Sequence, residues 1–244
     1  MSDQEKKMFY DVDGIQIGRD GQKEKTTVAV VGEHRMEVTV DGQLTMELVC
    51  TPSHLPELVL GHLVSEGIIR TAEEIRRMDI TEDGSRAAVE LTGTDGQGRR
   101  EKIRAYAGLT RLPAASWEPA WVFGMSDLFR EDTPLHRMTR STHSCYLARE
   151  GQLLFQCEDI GRHNAMDKVI GYCAAHHLNP GMCMVFTSGR IPTDMAVKAI
   201  RAGIPVIASK ETPTRDAVLL AEQYGLVLIG RAKGDRMIQF TGRE

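Results

Sequence analysis

Aromatic residues are scarce in this chain, at 5% of 244 positions. Stacking platforms for a nucleic-acid strand therefore have few side chains to be built from. A basic excess is missing too: 30 Lys and Arg face 34 Asp and Glu, a formal net charge of −4. Neutralising many phosphates demands the opposite balance, whereas one small anion needs only a local cluster. No run approaches the roughly 18 apolar residues of a membrane span. Met1 to Lys7 is polar with no apolar stretch behind it, so no secretory leader is expected. Cysteine is sparse and odd in number, with Cys50, Cys145, Cys157, Cys173 and Cys183 dispersed and no Cys-x-x-Cys among them. That distribution favours a reducing cytoplasm over a disulfide framework. The zinc-deaminase signature, His-x-Glu followed by Pro-Cys-x-x-Cys, is absent: His163 is followed by Asn164 and Ala165, and Cys183 stands alone. No metal site is expected.

What is present suffices for a core, with 41% hydrophobic residues. Residues 1–25 read as a polar tail. From Thr26 the pattern is β: Thr27–Val31 is an apolar run, and Met36, Val38 and Val40 alternate with polar partners. Leu44, Met46 and Leu48 do so again across Asp41-Gly42, a strong hairpin signal. Ser53 is placed to cap a helix whose face is Leu55, Leu58, Val59 and Leu63, and which Gly67 ends. A helical turn is expected near Ala72–Met78, then strands at Met78–Ile80 and Ala87–Leu91. Residues 105–122, with Pro113, Pro119 and two Trp, read as an irregular bridge.

Beyond about residue 143 strands and helices alternate. A hairpin is expected at Tyr146–Arg149 and Leu153–Cys157, then helices at Asn164–His177, Thr193–Ala202 and Thr214–Tyr224. Strands fall at Cys183–Thr187, Pro205–Ser209, Leu226–Ile229 and Met237–Phe240. The expectation is an α/β chain: a β-rich N-terminal domain over 26–122 with its helix and bridging loop, and a three-layer α/β domain over 123–244.

Three strand-to-helix junctions are polar and cationic. The first runs from Cys157 through Glu158, Asp159, Arg162, His163, Asn164, Asp167 and Lys168. Unpaired N–H groups at a helix start attract anions, and Arg162, His163 and Lys168 add donors. Asp159 is placed to orient His163 or to accept from a purine edge; the plainer reading is a helix cap with a surface ion pair. The second junction holds Thr187, Ser188, Gly189 and Arg190, the third Ser209, Lys210 and Thr214. One such loop is usually a solvated turn. Three in succession at strand ends, each with a cation, point to a pocket for a phosphorylated ligand. His62, on an apolar helix, reads as a satisfied core histidine, and His176 with His177 as surface residues. Cys145, two residues after His143, and Cys157, before Arg162 and His163, are the candidate nucleophiles, because nearby cations lower a thiol pKa. The alternative for both is a small buried hydrophobe, which is the reading for Cys50, Cys173 and Cys183.

The run Glu158-Asp159-Ile160-Gly161-Arg162-His163-Asn164-Ala165-Met166-Asp167-Lys168 resembles the FdhD family of formate dehydrogenase accessory sulfurtransferases. The likeness extends to Cys50-Thr51-Pro52, Gly61 to Ile69, Ser188-Gly189-Arg190, Lys198, Ala202-Gly203-Ile204-Pro205, Pro213-Thr214, Leu228-Ile229-Gly230 and Lys233-Gly234-Asp235-Arg236. It covers about residues 26–242. The resemblance implies a cytidine-deaminase-like α/β domain without zinc, and a homodimer. It implies a protein that takes sulfur from a cysteine desulfurase and passes it to a molybdenum or tungsten bis-molybdopterin guanine dinucleotide cofactor, destined for formate dehydrogenase or a related molybdoenzyme. The implied cofactor contacts are Arg162, His163, Asn164, Asp167, Ser188, Gly189, Arg190, Ser209, Lys210 and the stretch Arg231, Ala232, Lys233, Gly234, Asp235, Arg236. Two departures stand out. The family's Cys-x-x-Cys loop, here about Tyr106–Trp121, contains no cysteine, and its Thr-Gly-Gly-x-His is Thr139-Arg140-Ser141-Thr142-His143.

Overall fold

A computed structural model describes residues 8–93, 108–131 and 133–242. The first residues of the expected tail, and residues 105–107 of the expected bridge, lie outside these. The rest of the tail is not a tail: strand β1 (Phe9–Ile17) pairs antiparallel with β2 (Lys23–Val31) as a two-stranded ribbon. Its signal is the spacing of Tyr10 and Val12, which face Val30 and Val28 across the ribbon. Both faces stay largely exposed, so no burial pattern marks the strand in the sequence.

A four-stranded sheet follows, in the order β4 (Leu44–Cys50), β3 (His34–Val40), β6 (Arg86–Leu91), β5 (Ile75–Ile80). The β3–β4 turn uses Asp41 and Gly42 with φ of 50° and 64°, the backbone that makes Asp-Gly a hairpin signal. Residues Ala72–Glu74 form one 3-10 turn only, and the chain then extends at once into β5.

Helix α1 (Leu55–Ser65) lies over the apolar face of this sheet. Its N-cap is His54, in a left-handed conformation and without a side-chain cap bond, rather than Ser53. The hydroxyl of Ser53 instead accepts from the Lys168 ammonium at 3.4 Å.

The larger sheet has six strands in the order β12 (Arg236–Gln239), β11 (Val227–Lys233), β10 (Val206–Ser209), β9 (Met184–Thr187), β7 (His143–Arg149), β8 (Gln152–Asp159). The central β9, β10 and β11 are parallel, and β7, β8 and β12 run antiparallel to their neighbours. Cys145, Leu147, Val185, Ile207 and Leu228 face the layer built by α4 (Arg162–Ala175), α5 (Thr193–Arg201) and α6 (Arg215–Tyr224). Tyr146, Phe186, Ala208 and Ile229 face the other way, onto α2 (Pro119–Glu131). The result is a helix–sheet–helix stack, the expected mixed α/β architecture.

Helix α2 begins inside the stretch expected to be irregular. Val122, Met125 and Phe129 repeat every three to four residues and are buried, but Pro119, Trp117 and Gly124 mask that period. A short helix α3 (Pro134–Thr139) leads into β7.

Helices α1 and α4 join the two sheets by direct backbone contact. A Cβ on Gly61 would lie 1.8 Å from the Asp167 carbonyl oxygen, and one on Gly171 would lie 1.8 Å from that of Glu57. One continuous apolar core consequently runs from Met36 and Val38 through α1 and α4 to Leu228.

Candidate functional site

The site forms where β7 and α4 begin and where β9 and β10 end, and buried groups set its geometry. Asp159, the last residue of β8, is fully buried and pairs with the fully buried ammonium of Lys168 at 2.6 Å. Its second oxygen accepts from the Gly161 N–H and from the Asn164 amide at 3.0 and 2.9 Å. The Asn164 amide also donates to the Val49 carbonyl at 2.7 Å, which ties this turn to the small sheet. Asp159, Asn164 and Lys168 therefore fix the start of α4. Asp159 does not orient His163, whose carboxylate partner is Asp194 at 2.6 Å on α5.

Asp167 is equally enclosed. It accepts from Lys198 at 2.8 and 3.0 Å, from Ser65 at 2.6 Å and from the ring of His62 at 3.0 Å. Burial pushes the Asp167 carboxyl upward, but the Lys198 charge and the His62 hydrogen bond outweigh it and hold the group below its ordinary range. His62 is thus the satisfied core histidine expected from the sequence. Asp167 and Lys168 spend their polar atoms inside the protein and offer no surface to a ligand.

Glu158 serves the neighbouring loop. Its two carboxylate oxygens accept from the Leu135 and His136 N–H groups at 2.8 Å each, closing the start of α3, and from the Thr142 hydroxyl at 3.1 Å. This brace sets the entry into β7, where half-buried His143 meets Ser188 with its Nδ1 3.3 Å from the hydroxyl oxygen. The Ser188 hydroxyl also accepts from the Ser144 N–H at 3.0 Å.

Around His143 the expected cations converge. Burial lowers the His143 pKa first, and the charges of Arg162, His136, Lys210 and His163 lower it further. Gly189 is the close-approach point: a Cβ there would meet Arg162 carbons at 3.3 Å and His143 Nδ1 at 3.4 Å. Ser209 holds this turn by donating to the Gly189 carbonyl at 2.7 Å and accepting from the Glu211 N–H at 2.9 Å. The Lys210 ammonium sits 5.3 Å over the Phe129 ring of α2. Arg162 Nε is buried and has no hydrogen-bond partner among the described residues. A buried donor left unpaired in this way costs about 1–3 kcal/mol.

The remaining sequence candidates divide. Thr214 caps α6, accepting from the Ala217 N–H at 3.3 Å. Arg190 is exposed at the turn after β9. Arg231, Lys233, Gly234, Asp235 and Arg236 are exposed on the β11–β12 hairpin, where Arg231 takes a φ of 54° and donates its N–H to the Glu211 carbonyl at 3.1 Å. Ala232 is buried against α2, and its carbonyl accepts from the Ser126 hydroxyl at 3.0 Å. His136 is the basic residue the sequence did not single out; it lies on α3, a helix of six residues too short to show a period.

Cys145 and Cys157 are cross-strand neighbours on β7 and β8, at 0% and 5% exposure. Burial pushes the Cys145 thiol up to about 12, and Cys157 well above its ordinary value. A nucleophilic thiol needs access and a lowered pKa, and neither residue has them here. They are the small buried hydrophobes of the alternative reading. Among the described residues, no three His, Cys, Asp or Glu cluster as a metal site requires. No helix there is long and apolar enough to cross a membrane.

The chain is 31% identical to the sulfur carrier protein FdhD of Bacillus pumilus over 91% of its own length and 92% of that protein's. It is 30% identical to the FdhD protein of Geobacillus kaustophilus, again over 91% and 92%. The crystal structure of a Desulfotalea psychrophila chain, described as a formate dehydrogenase accessory protein, superposes with a TM-score of 0.85. It shares 26% identity, with 98% of this chain and 99% of that one covered. A sequence model of the FdhD/NarQ family matches residues 31–244, and the chain belongs to that family.

Proposed function

We propose that this protein binds the guanine-nucleotide ends of a molybdenum or tungsten bis-molybdopterin guanine dinucleotide cofactor during maturation of formate dehydrogenase or a related molybdoenzyme. The observation that carries the reading is the buried Arg162 Nε, without a partner among the described residues, set beside Gly189 and near Lys210, His136 and His163. A diphosphate supplies the missing acceptors, and Arg is the side chain best suited to bind them bidentately. The α4 N-terminus adds free N–H groups and a favourable dipole. In this reading the exposed cations of Arg190 and of the β11–β12 hairpin contact the rest of the ligand. In this role Ser209 holds the turn, while Asp159, Asn164, Asp167 and Lys168 are positioning residues. Titration calorimetry with GDP tests the reading. We expect saturable binding by the wild type and none by Arg162→Ala with an unchanged fold; absence of heat at millimolar GDP with the wild type rejects it.

The relatives' description as sulfur carriers supports a second step, in which sulfur from a cysteine desulfurase reaches the bound cofactor. Cys145 and Cys157 are poor carriers in this conformation, so the geometry favours cofactor holding as this chain's own contribution. A homodimer is part of the proposal. Tyr10, Val12, Val28 and Val30 form one apolar, exposed ribbon face, the kind of surface that a second copy of the chain would cover.

A further inference from the structure

The first residue of β7 is a basic group to which the proposed phosphate contacts give no task. His143 is half-buried in the cleft, with Nδ1 3.3 Å from the Ser188 hydroxyl oxygen. Ser188 is itself pinned to the strand beside it. Its hydroxyl accepts from the Ser144 N–H, and its own N–H donates to the Ser144 carbonyl, each at 3.0 Å. A hydroxyl has one proton and two acceptor sites. One acceptor site is taken by Ser144, so Ser188 gives its proton to Nδ1 while the ring is neutral. When the ring gains a proton the bond reverses: Nδ1–H donates to the remaining lone pair, and the Ser188 proton is freed for another acceptor. The pair therefore satisfies either charge state of the ring.

The surroundings choose between the two states. Arg162 of α4 and His143 both crowd the position a Gly189 Cβ would take, at 3.3 and 3.4 Å. His136 of α3 has its Nδ1 2.7 Å from the Thr142 carbonyl, one residue before His143. Lys210 follows Ser209, whose hydroxyl donates to the Gly189 carbonyl at 2.7 Å. His163 is the next residue of α4 after Arg162. The carboxylates nearby are committed elsewhere. Asp159, opposite His143 on β8, holds Lys168 at 2.6 Å; Glu158 closes the start of α3; Asp194 holds His163 at 2.6 Å. Among the described residues, no carboxylate pairs with His143, Arg162 or Lys210. Burial first, and then these positive neighbours, keep the ring neutral in the free protein. An anion set among them favours the charged ring instead.

We propose that His143 is a proton-linked contact for the diphosphate, neutral in the free protein and protonated when the anion binds. The inference rests on the nucleotide reading above and adds a residue outside the contacts that the resemblance implies. One proton moves from solvent to Nδ1, and Ser188 turns its own proton toward a phosphate oxygen. Binding is then strongest below the free-state pKa of the ring and weakens as pH rises through the higher bound-state value. A rise of one pH unit on binding corresponds to about tenfold in affinity between those limits.

The test follows the histidine rings of the isotope-labelled full chain by NMR through pH, with and without GDP. The His143 signal is the one missing from His143→Gln. In the free protein it is expected to titrate below the ordinary value of about 6.5. With GDP it should rise by at least one pH unit, to about 7 or higher. If GDP shifts backbone signals of the cleft while His143 titrates unchanged, the inference falls and nucleotide binding stands. If GDP shifts nothing, both fall. A ring already charged at pH 7 in the free protein also overturns the inference. Calorimetry on the wild type needs no variant: GDP heats in two buffers of unlike ionisation enthalpy count the protons exchanged. Net uptake at pH 7 is expected. The terminal phosphate of GDP, bound as the dianion, only releases protons, so binding without uptake contradicts the assignment.

Discussion

Replacing Gly171 by Ala adds one methyl group where the two sheets are joined. That methyl would lie 1.8 Å from the Glu57 carbonyl oxygen and 2.8 Å from the Gly61 nitrogen, both backbone atoms of α1 that no rotamer can move. A carbon–oxygen contact normally sits near 3.3 Å, so α1 and α4 must separate by about 1.5 Å. Overpacking of this kind costs about 1–3 kcal/mol and sometimes more. A gap of only ~0.5–1 Å already forfeits a quarter to a half of each dispersion contact along the interface. Ala gains about 1 kcal/mol over Gly as a helix former. We expect a net loss of about 3 kcal/mol, which lowers the urea midpoint by roughly 1 M for a slope near 3 kcal/mol/M. Gly124 is the control, because it lies inside α2 with nothing within 4 Å of an added Cβ. The same change there gains about 0.5–1 kcal/mol from propensity alone. Urea unfolding of the two variants reads both numbers. Shifts of the same sign, or a neutral Gly171→Ala, refute the account of how α1 and α4 meet.

Three further outcomes follow from the polar interior. Asp167→Asn leaves the buried Lys198 charge with Glu66 at 3.1 Å in place of two carboxylates, and is expected to lose up to about 3 kcal/mol at neutral pH. Because the folded Asp167 pKa is depressed, its contribution is complete above the unfolded value near ~3.9 and disappears as pH falls through the lower folded value. Unfolding at pH 7, 5 and 3 should show the wild-type advantage narrowing only in the most acid sample, and an advantage that shrinks by pH 5 contradicts the assignment. Arg140, with a φ of 56°, stands where the resemblance sets a glycine, and Arg140→Gly is expected to raise stability by up to about 1 kcal/mol in thermal unfolding. Iodoacetamide applied to the native protein should leave Cys145 and Cys157 unmodified until denaturant is added; rapid native labelling of either removes the case against them as sealed thiols.

The alternation of Met36, Val38 and Val40, the Asp41-Gly42 turn and the four-residue repeats of α4 to α6 were legible, because each element buries one face on a period that residue types report. The ribbon was not, since strands exposed on both faces leave no such period. Helix α2 was obscured by Pro119 at its start and Gly124 in its middle. At the site, sequence brought Arg162, Ser188, Gly189 and Lys210 to neighbouring strand ends, and the structure gathers them around His143. Spacing along the chain does not say which side of a helix start faces inward. Asp159, Asp167 and Lys168 therefore read as ligand contacts in the sequence, while in the fold they are consumed by Thr51, Ser65 and Lys198.

The central claim is that the ends of β9 and β10 with the starts of β7 and α4 hold a nucleotide diphosphate through Arg162. Calorimetric titration of GDP into the wild type and into Arg162→Gln measures it directly. The account predicts saturable heat for the wild type that weakens at least tenfold in the variant and falls with added salt, as charge-assisted contacts do. Equal affinity for the two proteins contradicts it.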